Sequence, residues 1–220
     1  MHDNPLFSTA ADFVNNTSRH IFLTGKAGTG KTTFLKYIRE NTAKKCVVVA
    51  PTGVAAINAG GVTMHSFFQL PLGPFLPIAR KFTGEGVTDQ YTLFKNIRVS
   101  DEKREIFRDL ELLIIDEVSM VRADMLDATD AILRYFRKMT HTPFGGVQVL
   151  YIGDLFQLPP VMPDSQWSLL REYYESPFFF HSKAVEQAPP VYIELKKIYR
   201  QSQQSFIDIL NRNRNNKATE

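Results

Sequence analysis

The 220-residue chain is short of several things, and each shortage closes a class of explanation. It has one cysteine, Cys46, so neither an intramolecular disulfide nor a cysteine-based zinc cluster is open to it. Cys46 begins an apolar run and reads as a small packed side chain rather than a reactive thiol. No stretch approaches the roughly 18 apolar residues of a membrane span. The opening residues, MHDNPLFSTA, lack the basic region and long apolar core of a secretory signal. The expected compartment is therefore soluble and reducing: cytoplasmic in a bacterium, nuclear or mitochondrial in a eukaryote. There are no internal repeats or low-complexity tracts. Neither sign of charge dominates: 26 Lys and Arg stand against 23 Asp and Glu, a net of +3. That balance permits a nucleic-acid partner without arguing for one.

What is present is ordinary globular material, 44% hydrophobic and 22% charged, enough for one large α/β domain. It is organised around FLTGKAGTGKTTF, Phe22 to Phe34. An apolar run leads into a glycine-rich turn, then Lys31-Thr32-Thr33, then the helical pattern Phe34, Leu35, Ile38. That is the order of a phosphate-binding loop: strand, GxxxxGK with Ser or Thr, helix. Gly25, Gly28 and Gly30 can take backbone angles closed to other residues and let amides approach an anion. Ala27 and Thr29 complete the loop. The helix starting near Lys31 adds unsatisfied N–H groups and the positive end of its dipole. Lys31 would reach the β- and γ-phosphates, and the Thr32 hydroxyl would ligate Mg²⁺, with Thr33 beside it. The chain is expected to bind a nucleoside triphosphate with Mg²⁺.

The rest alternates buried strands and helices. Residues 1–19 read as a lead-in, with a short helix around Ala10–Val14 and a turn after it. Lys44-Lys45 reads as a solvated turn. CVVVA from Cys46 is a strand covered on both faces, and Val54–Ala59 is a short helix closed by Gly60-Gly61. Residues 69–100, broken by Pro71, Pro74, Pro77, Gly84 and Gly86, form an irregular excursion with one or two short helices. Ser100-Asp101-Glu102 starts a helix running to about Asp109. LLII from Leu112 is a third strand, Met125–Phe136 recurs at helical spacing, Val147–Ile152 is a fourth strand and Val191–Leu195 a fifth. Gln203–Asn213 is a helix before a polar tail. This order predicts a mostly parallel sheet with helices on both faces, and ligands at the carboxyl ends of its strands.

An apolar strand ending in an acid can hold the Mg²⁺ shell, which is the role expected of Asp116. Glu117, leaving the strand to the other side, would orient or deprotonate the attacking water. The bland alternative is an acid-rich helix start. Gln157, after the fourth strand and stiffened by Pro159-Pro160, suits a γ-phosphate contact because an amide both donates and accepts. By itself that segment is equally a proline turn.

Taken together these segments resemble the first RecA-like motor domain of superfamily one DNA helicases, above all the PIF branch, with the RecD branch next. The resemblance covers about residues 20–201. GKAGTGKTT is similar to motif I, and APTGVAAINAGGVTMHSFF, Ala50 to Phe68, to motif Ia with its PIF extension. LLIIDEVSMV resembles motif II, GGVQVLYIGDLFQLPPV motif III and LKKIYRQ motif IV. It implies a RecA-like phosphate-loop NTPase fold over 20–202, with an exit helix and tail over 203–220. It implies ATP hydrolysis coupled to 5′ to 3′ movement on single-stranded DNA and at duplex junctions, in DNA repair, recombination or telomere maintenance. It assigns catalysis to Asp116, Glu117, Gln157 and Arg200, the last as one of two arginines on the γ-phosphate. It places Thr52, Gly53, His65 and Phe67 in the segment that contacts single-stranded DNA, where a hydroxyl, an amide, an imidazole and a ring suit phosphate, sugar and base. Core packing competes for His65 and Phe67.

Two departures stand out. The lead-in lacks a clear adenine-reading glutamine. The family's second RecA-like domain, with the other arginine, does not follow, so the chain is expected to be a fragment of a longer helicase and nearly inactive alone. A nucleotide-gated DNA- or protein-binding module without motor activity is the alternative. A small-molecule kinase fits less well, because the excursion offers only Arg80 and Arg98 for a lid.

Overall fold

Runs such as LLII and CVVVA need cover on both faces, and the fold supplies it. The computed structural model describes residues 4–79, 82 and 86–197. Arg200, the expected helix at 203–213 and the polar tail lie outside the described residues. In chain order come α1 (Pro5–Asn16), β1 (Ile21–Gly25), α2 (Lys31–Asn41), β2 (Cys46–Ala50), α3 (Gly53–Ala59), β3 (Val62–Thr63) and α4 (Met64–Phe68). The excursion holds β4 (Phe75–Leu76), β5 (Thr88–Asp89) and α5 (Gln90–Asn96). Then follow α6 (Asp101–Asp109), β6 (Leu112–Ile115), α7 (Ala123–Arg137), β7 (Gln148–Ile152), α8 (Asp164–Leu170), α9 (Lys183–Gln187) and β8 (Val191–Leu195).

Six strands form one sheet in the order β3-β2-β6-β7-β1-β8, and every described pairing in it is parallel. Side chains alternate across it with period two. Leu112 and Ile114 join Leu23, Leu150 and Ile152 under α1 and α2, against Phe7, Phe34 and Ile38. Leu113 and Ile115 face the other way, joining Val149 and Tyr151 under α4, α6 and α7, against Phe68, Phe107 and Leu133. Burying both faces explains why these strands are aliphatic without interruption.

Several expectations need correction. Residues 5–16, read as lead-in with a short helix, form the long α1, which puts Phe7, Ala10, Ala11 and Val14 into the core. Lys44 is not a solvated turn. Its ammonium donates to Val14 O, Thr17 O and Gln148 Oε1, each at 2.6 Å. The buried Gln148 amide donates in turn to Phe13 O and Arg19 O, so the pair ties α1 to the amino edge of the sheet. Lys45 alone is exposed, paired with Asp109. The excursion contains a short parallel β pair as well as a helix, and α4, α8 and α9 are further helices the sequence did not announce.

Candidate nucleotide site and nucleic-acid face

Because the sheet is parallel, its strand carboxyl ends share one edge. Three of them are neighbours, β6, β7 and β1, and each carries a predicted site segment. The glycine loop follows β1, Asp116 follows β6, and Gly153 to Gln157 follow β7. Backbone bonds fix them: Asp116 N donates to Val49 O at 2.9 Å, and Gly153 N to Leu23 O at 3.2 Å. Glycine at 153 is a packing requirement, since a β-carbon there would press on Val118 and on the amide of Ser119. The motif II and motif III segments therefore touch backbone to backbone.

The loop itself is built as a cradle. Gly28 and Gly30 have φ of 82° and 98°, left-handed values that disfavour any side chain. At Gly25, φ 153°, a β-carbon would collide with Leu195 O and Thr29 Oγ1. Thr29, 1% exposed, ties the loop by donating its hydroxyl to Lys26 O at 2.9 Å. Lys31 folds its ammonium over the loop onto Gly25 O at 2.6 Å and Lys26 O at 3.3 Å. No side chain caps the start of α2. Ala27 lies on the loop's rim, and the Thr32 and Thr33 side chains are exposed at the helix start.

Asp116 is mostly buried. Desolvation first, then repulsion from Glu117, raises its pKa from 3.8 to about 6, while the Glu117 amide and the Lys31 charge oppose the shift. Glu117 adopts φ 51°, ψ 44°, an uncommon left-handed state for a non-glycine residue, worth about 1–3 kcal/mol of strain. Gln157 is exposed on a turn closed by its own amide on Asp154 O at 2.9 Å. The sequence reading missed Asp154. This 1% exposed carboxylate accepts the Phe156 amide at 3.1 Å and shapes that turn.

The donor set fits Mg-ATP. An uncapped helix start and a glycine cradle suit phosphate oxygens. A carboxylate raised in pKa by burial and by a neighbouring carboxylate suits a divalent cation. Among the described residues no group of three or more His, Cys, Asp or Glu could hold a metal. Mg²⁺ needs none, since it binds through one or two carboxylates together with substrate phosphates.

The other expected face lies beside this site, over β2 and β3. Thr52 caps α3 by accepting the Ala55 amide at 3.2 Å, which leaves its O–H able to donate. Gly53 has no positive φ, and a β-carbon there would meet nothing within 4 Å, so neither turn nor packing asks for glycine. His65 is half-buried on α4. Phe67 must be corrected. It is 6% exposed, edge-on to Phe68 and Phe107, with the Lys103 ammonium 3.7 Å above its ring. It packs in the core, as the competing reading of this position has it.

A glycine cradle, a strand-end acid and a glutamine turn on three adjacent parallel strands define a RecA-like phosphate-loop NTPase domain. The family is narrower. The sequence profile of the PIF1-like helicases matches residues 4–219, and the chain belongs to that family. It is 40% identical over 205 residues to the ATP-dependent DNA helicase PIF1 of Saccharomyces cerevisiae, and 37% identical over 196 residues to that of Homo sapiens. These alignments cover 89% and 86% of this chain but only 21% and 26% of those proteins. A Bacteroides Pif1 helicase solved in complex with ADP-AlF3 and ssDNA superposes with a TM-score of 0.85 at 43% identity, covering 98% of this chain and 47% of that one. The Pif1 helicase of Candida albicans gives 0.73 at 34% identity, with 96% and 43% coverage. Among the described residues no helix is long and apolar enough to cross a membrane.

Proposed function

We propose that the chain is the ATP-binding motor domain of an ATP-dependent DNA helicase that couples hydrolysis to 5′ to 3′ movement on single-stranded DNA. The observation that carries this is the convergence of the glycine cradle after β1, Asp116 with the left-handed Glu117 after β6, and the Gln157 turn after β7 on three adjacent strand ends. Bound Mg-ATP would supply the electrophilic γ-phosphorus and the cation that neutralises its oxygens. The loop amides and Lys31 hold the phosphates, releasing the ammonium from Gly25 O and Lys26 O. Thr32 and Asp116 hold the metal. Glu117 orients the attacking water and takes its proton, and Gln157 contacts the γ-phosphate. Arg200, outside the described residues, is the cation assigned to that phosphate by the motif IV match.

Thr52, Gly53 and His65 form the single-stranded DNA face, with an open surface at Gly53 and a free O–H at Thr52. A second motor domain in cis would supply the other arginine and the remaining DNA contacts. The named activity of the yeast and human relatives, and the ADP-AlF3 and ssDNA bound by the Bacteroides relative, support this reading.

The test is a titration of this 220-residue chain with Mg-ATP, followed by phosphate release with and without single-stranded DNA. We expect binding with turnover near background, because an arginine finger is worth roughly 10³ to 10⁵ in rate. No Mg-ATP binding would end the reading. Robust DNA-stimulated turnover would show the site complete within one domain or completed by a second copy. A longer chain that binds ATP yet shows no DNA-stimulated turnover would leave a nucleotide-gated binding module.

A further inference from the structure

The start of α7 breaks a local rule. Its N-cap residue is Arg122, with no side-chain cap bond, so a cation stands at the positive end of a 15-residue helix. Ser, Thr, Asp or Asn is the favoured choice there, and a cation is electrostatically wrong. Departures of this kind are expected where function asks for them. Arg122 is held on every side. Its Nε and Nη2 grip both oxygens of Asp124, at 2.9 and 2.6 Å, and its Nη1 donates to Gln166 Oε1 at 2.7 Å. Its backbone forms an antiparallel bridge to Phe178, and Ala123 N donates to Pro177 O. The two side chains are 16% and 2% exposed, and a pair so desolvated adds little net stability.

What the pair does contribute is placement. Asp124 Oδ2 also accepts the Phe75 amide at 3.0 Å, which pins the turn leaving α4. Arg122, Asp124, His65 and Gly73 line one cavity of about 40 Å³, with apolar residues around the remainder. Among the described residues lining it, Arg122 and Asp124 are the charged groups facing His65.

We propose that Arg122 is a positioning residue for single-stranded DNA: gripped by Asp124 and Gln166, it fixes His65 and the 70–75 turn as one preset surface. This rests on the DNA face proposed above. The charge of Arg122 also has a consequence for His65. Burial first, then the Arg122 cation, lowers the His65 pKa, and Asp124 opposes them. Both lowering effects favour the neutral imidazole. Removing Arg122 takes away the opposing cation and leaves Asp124 as its charged neighbour, which raises the His65 pKa from its wild-type position.

The experiment is fluorescence anisotropy of this chain with a labelled oligonucleotide at pH 6 and pH 8, with Mg-ATP titration and a melting curve for each variant. Arg122→Met should weaken binding at pH 8 about tenfold while Mg-ATP affinity stays within about twofold. It should also tighten toward pH 6, and that new dependence should vanish in Arg122→Met/His65→Gln. Arg122→Lys keeps the cation but loses the two-pronged grip, so it should restore the wild-type pH profile and not the affinity. If Arg122→Met does not fold, Arg122→Lys alone decides: wild-type affinity would overturn the proposal. So would a folded Arg122→Met that matches wild type, or a pH dependence that survives loss of His65. Wild-type protein that fails to bind DNA, or His65→Ala that binds as tightly, would refute the DNA face itself.

Discussion

The two edges of the sheet each hold a lysine over backbone carbonyls, and the resemblance ends there. At the amino edge Lys44 meets three oxygens, and the Gln148 amide meets two more. At the carboxyl edge Lys31 rests on the loop it follows, the start of α2 is uncapped, Asp116 lacks a full countercharge and Glu117 is strained. The first edge has satisfied its polar groups internally and is finished as built. The second leaves a helix start uncapped and a buried carboxylate beside a second one, groups that a bound phosphate and cation would suit. The lesson is that the two lysines should fail differently when removed, one through stability and the other through binding.

The largest effect is expected at Glu117. In a chain carrying both motor domains, Glu117→Gln should bind ATP normally and hydrolyse it about 10² to 10⁴ times more slowly, because the amide cannot accept a proton. Steady-state phosphate release measures it. Turnover within about threefold of wild type would give the water to another residue and make the Glu117 backbone strain an unexplained feature of that edge.

Next come the two lysines. Lys31→Ala should weaken Mg-ATP binding about a hundredfold or more, through loss of a charge-assisted phosphate contact, with an unchanged melting curve. Lys44→Met should leave ATP affinity alone and cost roughly 1–3 kcal/mol, since it strands three acceptors at a partly desolvated site. For a domain of this size that is a fall of a few to about 10 °C in Tm. Calorimetry and thermal melting on the same two variants decide the matter. If each lysine affected both quantities equally, the division between the edges would be wrong.

Much of the carboxyl edge was legible because its chemistry uses residue types at fixed spacing. Gly25, Gly28, Gly30 and Lys31 can be read without knowing the fold, and so can an acid ending an aliphatic run. The strands β1, β2, β6 and β7 were legible for a related reason, since burial on both faces writes a largely apolar run, while the edge strand β8, VYIEL, shows only the alternation of a half-covered strand. The amino edge was not legible. A Lys-Lys pair looks solvated, and nothing local reveals that the first of the two reaches α1 and a glutamine 104 positions away. Phe67 stayed open between DNA contact and core packing because an aromatic in a contact segment looks the same whether it faces a base or Phe107. The five-residue α4 is too short for a period to show, and its Thr63 cap is evident only in the structure. The left-handed backbone at Glu117 has no glycine to advertise it.

The smallest effect sharpens the comparison most, because it reports how burial and Glu117 disfavour the charged form of Asp116. Its folded pKa, about 6, lies above the ordinary 3.8. A carboxylate raised in this way favours folding below 3.8 and loses that contribution as the pH climbs through 6. A shift from 3.8 to about 6 corresponds to at most about 3 kcal/mol, of which roughly half is lost between pH 5 and pH 8. Asp116→Asn cannot ionise, so it should be more stable than wild type at pH 8, and its advantage should shrink by about 1–2 kcal/mol on going to pH 5. Saturating Mg-ATP should reverse the order at pH 8, because a cation held by Asp116 would add a countercharge to wild type alone. Denaturant unfolding at the two pH values, with and without Mg-ATP, reads all three outcomes. A difference between Asp116→Asn and wild type that is the same at pH 5 and pH 8 would mean that Asp116 is already satisfied within the folded chain. The carboxyl edge would then be as complete as the edge held by Lys44, and the metal-holding role would have to pass to another side chain.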